Sequence, residues 1–67
     1  MSSLGEELPK EQARVRKIIG VYKEIGPAGA IAAGLMERSL QRADQAVMSG
    51  DVVAMIAAYE DLKGYDY

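Results

Sequence analysis

The side chains able to do chemistry in this chain are few. The carboxylates to weigh are Glu6-Glu7, Glu37, Asp44, Asp51 and Glu60-Asp61. There is no histidine, so the commonest general base and metal ligand is missing. There is no cysteine, which removes disulfides and thiolate metal sites. Glu37 and Asp44 lie seven residues apart, two turns along one helix face. A di-metal carboxylate centre in a helical bundle would want Glu-x-x-His pairs, which this chain cannot supply. A zinc site or a Ser-His relay is therefore excluded from within one chain, and the acids read as solvated polar faces. Function has to be argued from a site. The expectation here is no enzyme, no metal and no cofactor.

Binding has more to work with. The segment Gly26-Pro27-Ala28-Gly29 stands immediately before a helical stretch. Free N–H groups at a helix start attract phosphate, and small side chains let a ligand come close. No Gly-Lys-Ser/Thr follows, so this is weaker than a P-loop, and Pro27 removes one donor. A tight corner with proline at the first helical position accounts for the same residues. Further on, Arg38 and Arg42 are four apart and share a face. Arginine is the usual choice for bidentate phosphate recognition. If the helix holding them pairs antiparallel with its own copy near Gly34, Gly26 of one chain comes near Arg42 of the other, and Ala30 near Arg38. The expected ligand site is thus Tyr22, Gly26, Ala28, Gly29, Arg38 and Arg42, with the tyrosine stacking on a base.

Two other binding modes compete. Tyr59, Tyr65, Tyr67 and the methionines suit a protein contact, since tyrosine is enriched in hot spots and methionine adapts to irregular partners. Core packing explains Tyr59, Met36 and Met55 as well. Nucleic acid is a poor candidate. The net charge is −2, and a recognition helix beginning Pro-Ala-Gly-Ala-Ile-Ala-Ala has no side chain able to read a base edge.

These residues have to be positioned by helices. Residues 1–8 read as a flexible lead-in. Pro9 suits a first turn, and Val15, Ile18, Ile19, Tyr22 and Ile25 form one apolar stripe, giving a first helix over about 9–25. Gly20 lies inside it at a cost of about 1 kcal/mol relative to alanine. Gly26-Pro27 breaks the chain. A long central helix follows over about 27–48, uncharged at its start. Its small residues fall in two rows of four-residue spacing, Gly26/Ala30/Gly34 and Gly29/Ala33, which permit close packing. Ile31, Leu35, Met36, Leu40, Ala43 and Val47 add larger contacts. Gly50 fits a left-handed helix end and Asp51 an N-cap. Val52, Met55, Ile56, Tyr59 and Leu62 form the stripe of a third, short helix over about 52–63, and residues 64–67 read as a frayed tail. The predicted fold is one all-α domain: three antiparallel helices, the long one in the middle flanked by two shorter ones.

Sixty-seven residues bury only about 60% of their unfolded surface, and domains this small usually need a staple or a partner. With disulfides and zinc excluded, homo-oligomerisation is the expected source of extra stability. Charge is uneven along the chain. Residues 10–42 carry seven cations against three acids, and residues 43–67 one cation against five acids. That predicts either ordinary solvated faces or an anion-attracting patch on the first two-thirds. The opening Met1-Ser2-Ser3-Leu4-Gly5-Glu6-Glu7 has no apolar run, and the uncharged stretch of the central helix is too short to span a bilayer. A soluble, cytoplasmic protein with no membrane partner is expected.

The runs Leu8-Pro9-Lys10-Glu11-Gln12-Ala13-Arg14-Val15-Arg16, Gly26-Pro27-Ala28-Gly29-Ala30 and Ser49-Gly50-Asp51-Val52-Val53-Ala54-Met55 resemble the small helical proteins carried by tailed phages and prophages of proteobacteria. The resemblance covers most of the chain and rests on its overall look rather than on a defined motif. It implies an accessory protein acting in the host cytoplasm. One such kind is a helical oligomer that sequesters a phosphate-bearing small molecule such as a nucleotide immune signal. The other is an inhibitor or regulator that binds a host protein, as anti-CRISPR proteins do. No position matches a ligand motif of either kind.

Overall fold

The computed structural model describes residues 3–66. Three helices follow one another, α1 (Leu4–Ile25), α2 (Pro27–Ser49) and α3 (Val52–Lys63), with no strand among the described residues. Each pair of helices packs together, in a body 36 × 23 × 15 Å. Lys23 reaches Glu37 and Arg16 reaches Asp44, so α2 runs back along α1. Arg42 reaches Asp61 and the Tyr65 hydroxyl reaches Ser39, so α3 runs back along α2.

The first helix starts earlier than its stripe predicts. Residues 3–8 are not a loose lead-in (residues 1 and 2 lie outside the described part). Leu4 and Leu8 continue the apolar stripe backward at four-residue steps, and Leu8 is 0% exposed. The Ser3 carbonyl accepts from the N–H groups of Glu6 and Glu7, and those two acids favour the positive helix end. Pro9 therefore lies inside α1 rather than at its start. The bond it forfeits is to the carbonyl of Gly5, an exposed residue. With 22 residues, α1 matches the 23 of α2, so only α3, with 12, is short.

Two corners join the helices. At the first, Gly26 has φ 112° and ψ −155°, a conformation for glycine alone, and its carbonyl accepts from the Ala30 N–H while Pro27 opens α2. At the second, Gly50 is left-handed at φ 67°. Its N–H meets the Val47 carbonyl and that of Asp51 meets the Ala46 carbonyl, closing a Schellman motif. The Asp51 carboxylate then accepts from the Ala54 N–H and caps α3.

The core is Leu8, Val15, Ile18 and Ile19 of α1, Ala33, Met36, Leu40 and Ala43 of α2, and Ala58 and Leu62 of α3, with Tyr22, Met55, Tyr59 and Tyr65 partly buried against it. Several apolar residues expected inside are outside instead: Ile25, Ile31, Leu35, Val47, Val52 and Ile56. For Val52 and Ile56 the reason is that α3 turns its alanine side inward, burying Ala58 with Leu62. For Ile31 and Leu35 it is that α3 is too short to reach them.

The tail is held, not frayed, through Tyr65 (Tyr67 lies outside the described residues). The Arg14 guanidinium donates to the carbonyls of Tyr65 at 2.8 Å and Leu62 at 2.9 Å, closing the end of α3. The Tyr65 hydroxyl lies 2.8 Å from the Ser39 hydroxyl and 3.4 Å from the Leu35 carbonyl. Ser39 and Gln12, the two buried polar residues among those described, are both satisfied, Gln12 by Asp44 at 2.8 Å.

Candidate functional site

The six residues expected to bind a ligand fall in different places. Tyr22, Gly26, Ala28 and Gly29 gather at the α1–α2 corner. Arg42 is 13 residues beyond Gly29 on the same helix, about 20 Å away along its axis. Within one chain they form no common pocket.

At the corner Tyr22, Gly26 and Gly29 each have a structural task. Tyr22 is half-buried and its hydroxyl donates to the Asp66 carbonyl at 3.2 Å. Gly26 makes the turn. Gly29 is buried against α1, where an added Cβ would overlap the Tyr22 carbonyl oxygen and come 3.0 Å from the Ile25 Cβ. Its backbone therefore faces α1, away from any ligand on the outer side. Ala28 is exposed. The two rows of small residues thus separate. Gly29 and Ala33 pack inward, while Ala30 and Gly34 stay open, with nothing within 4 Å of a Cβ built at Gly34.

The arginines separate too. Arg42 donates to the Asp61 carboxylate at 3.2 Å and to the Ser39 hydroxyl at 3.1 Å, so it is committed to α3. Arg38 is exposed and has no hydrogen-bond or ion-pair partner among the described residues. The basic two-thirds of the chain is largely neutralised in the same way. Lys10 pairs with Glu7, Arg14 with Glu11, Arg16 with Asp44 and Lys23 with Glu37. Glu37 and Asp44, the acids spaced for one helix face, serve these ion pairs. No group of three or more metal-ligating side chains occurs among the described residues.

Sequence reasoning missed a groove between two of the helices. A groove of about 540 Å³ runs between α2 and α3, with Ala46, Ala54, Ala57 and Ala58 as its floor, Gln45 and Ser49 on one wall and the Arg42–Asp61 pair at one end. Alanines on facing helices leave the space. The signal was present in the sequence: from Val52 to Tyr59 no residue carries a charge. A helix that is apolar all round has more than one face to cover. Val53 is 78% exposed and Ile56 51% exposed.

The fold and groove define a small all-α protein with an open, apolar inter-helix surface. No protein-family model, curated protein or solved structure matches the chain. No helix among the described residues is long and apolar enough to cross a membrane.

Proposed function

We propose that this chain is a non-catalytic binding protein that works as a homo-oligomer and acts by contacting another protein. The observation that carries this reading is α3, whose first two turns expose Val52, Val53 and Ile56 beside an alanine-floored groove. Exposed apolar surface rimmed by polar residues is the usual mark of a protein contact. A chain with so small a core gains from covering it. The resemblance to phage accessory proteins points to a host protein as the partner and the host cytoplasm as the setting, in the manner of an inhibitor or regulator.

A second reading keeps some support. Sequestration of a phosphate-bearing small molecule, such as a nucleotide, at a pocket between chains is favoured by Arg38, exposed and unpaired among the described residues on a helix whose Ala30–Gly34 row is open. Against it, Arg42 is engaged by Asp61 and Gly29 is turned inward.

Light scattering over a range of concentrations, with thermal melts in the presence of a panel of cyclic nucleotides, separates the two. A ligand that binds only the folded state raises the melting temperature by mass action. The first reading expects a mass above that of one chain and melts unmoved by the nucleotides. An oligomer whose melting rises with one nucleotide establishes the second reading in its place. A chain that stays monomeric at all concentrations overturns both.

A further inference from the structure

We propose that the face shared by α2 and α3, on the side away from α1, is where a second copy of this chain docks. This rests on the homo-oligomer reading above and names its interface. On α2, Ile31, Leu35, Arg38, Arg42 and Ser49 recur at helical spacing and form one row. Arg42 and Ser49 of that row line the groove beside α3, and the Leu35 carbonyl meets Tyr65, just past the end of α3, so the row borders α3 at its lower part and the tail above it. On α3 the matching row is Val53, Ala57 and Glu60.

The row is apolar at both ends and charged in the middle. Ile31 and Leu35, 72% and 55% exposed, lie at the top, where α3 has ended. Val53 lies at the bottom, where α3 begins. The Arg42–Asp61 pair stands between them. Leu35 is seven residues from Arg42 and Val53 eight from Asp61, so the two apolar ends are each about 10–12 Å from that pair. Such a face is complementary to itself. A twofold axis that lies in the face, passes the Arg42–Asp61 pair and is perpendicular to the line from Leu35 to Val53 lays Leu35 of each copy on Val53 of the other. An isologous interface requires this reciprocity.

Charge and area agree with a second copy. Arg42 and Asp61 enter the contact already neutralised by one another. The remaining charges on the face are one cation, Arg38, and one acid, Glu60, neither with a partner among the described residues. The face is therefore balanced, and its copy meets it without net repulsion. From Ile31 to Ser49 α2 contributes a strip about 27 Å long, and α3, with 12 residues, one of about 18 Å, each about 10 Å wide. Corrugation brings a face of that size to roughly 600 Å² per partner, the low end of specific interfaces. That is under a fifth of the 4494 Å² the chain exposes.

The test is sedimentation equilibrium on the full chain and three variants, Leu35→Lys, Val53→Glu and Met48→Lys. All three positions are exposed, so folding, followed by far-UV circular dichroism, is retained. Leu35→Lys and Val53→Glu each place a charge in both halves of the contact and weaken association about 100-fold or more. Mixed together, they restore the dimer, because lysine then meets glutamate in one half and the native pair meets in the other. Met48→Lys, on the far side of α2, leaves the mass unchanged. A wild-type dimer indifferent to both charge variants overturns this face while leaving the oligomer reading intact. So does a mixture that stays monomeric, or a dimer broken by Met48→Lys. A wild-type monomer overturns the oligomer reading and this face with it.

Discussion

Replacing Gly29 with alanine tests the α1–α2 corner directly, because helix propensity and packing oppose each other there. Propensity favours alanine by at most about 1 kcal/mol. Packing forbids it. The new Cβ would overlap the Tyr22 carbonyl oxygen, lie 2.8 Å from the Tyr22 carbonyl carbon and 3.0 Å from the Ile25 Cβ. Two of those three atoms are backbone of α1, so no side-chain rotation relieves the overlap and the last turn of α1 has to move. Overpacking of this kind costs about 1–3 kcal/mol, and a backbone obstacle puts the site at the upper end. The net expectation is a loss of about 2 kcal/mol. Gly20 supplies the contrast. It is exposed, lies inside α1 and has nothing within 4 Å of a built Cβ, so Gly20→Ala should gain about 1 kcal/mol. Near the melting point 1 kcal/mol corresponds to about 4–8 °C in a domain of this size. The two variants should therefore melt roughly 12–24 °C apart, on opposite sides of the wild type. Thermal and urea melts followed by far-UV circular dichroism measure both. If Gly29→Ala is as stable as the wild type or more so, the close approach of α2 to the Tyr22 carbonyl is wrong, and with it the inward assignment of the Gly29/Ala33 row.

Other positions give sharp expectations. Leu8→Ala empties a site that is 0% exposed and should cost about 2–5 kcal/mol in urea melts, whereas a loose lead-in would register almost nothing. Arg14→Ala removes the donors to the Leu62 and Tyr65 carbonyls and should cost about 1–3 kcal/mol, with amide exchange rising first at the end of α3. Arg14→Lys should not rescue it, since one ammonium cannot reproduce the planar fork. Asp51→Ala deletes the α3 cap and should lower stability by about 0.5–2 kcal/mol, most of it recovered by Asp51→Ser or Asp51→Asn.

Which parts of this fold were legible follows from how local their causes are. Gly26-Pro27 and Gly50-Asp51 end and start helices through φ restrictions and a side-chain cap that act within a few residues, and both corners fall where those residues predict. The start of α1 was not legible, because Pro9 is a strong local signal for a first turn and only the burial of Leu8 against other helices outweighs it. The tail was missed for the same reason. Gly64-Tyr65-Asp66 has no local preference for order, and its anchor, Arg14, stands about fifty residues earlier in the sequence. The site suffered most. Arg38 and Arg42 look equivalent at four-residue spacing, yet Arg42 stands level with Asp61 while Arg38, about 6 Å further along the helix, lies past the end of α3 and meets solvent. Spacing along one helix fixes which residues share a face, but not which neighbour that face meets. That choice was set by α3, whose uncharged run Val52–Tyr59 supplies too much apolar surface for one buried stripe. Of its alanines Ala58 joins the core with α2 while Ala54 and Ala57 line the open groove, and its valines and isoleucine are left outside. The apolar surface that the sequence assigned to the start of α2 therefore lies at both ends of the α2–α3 face.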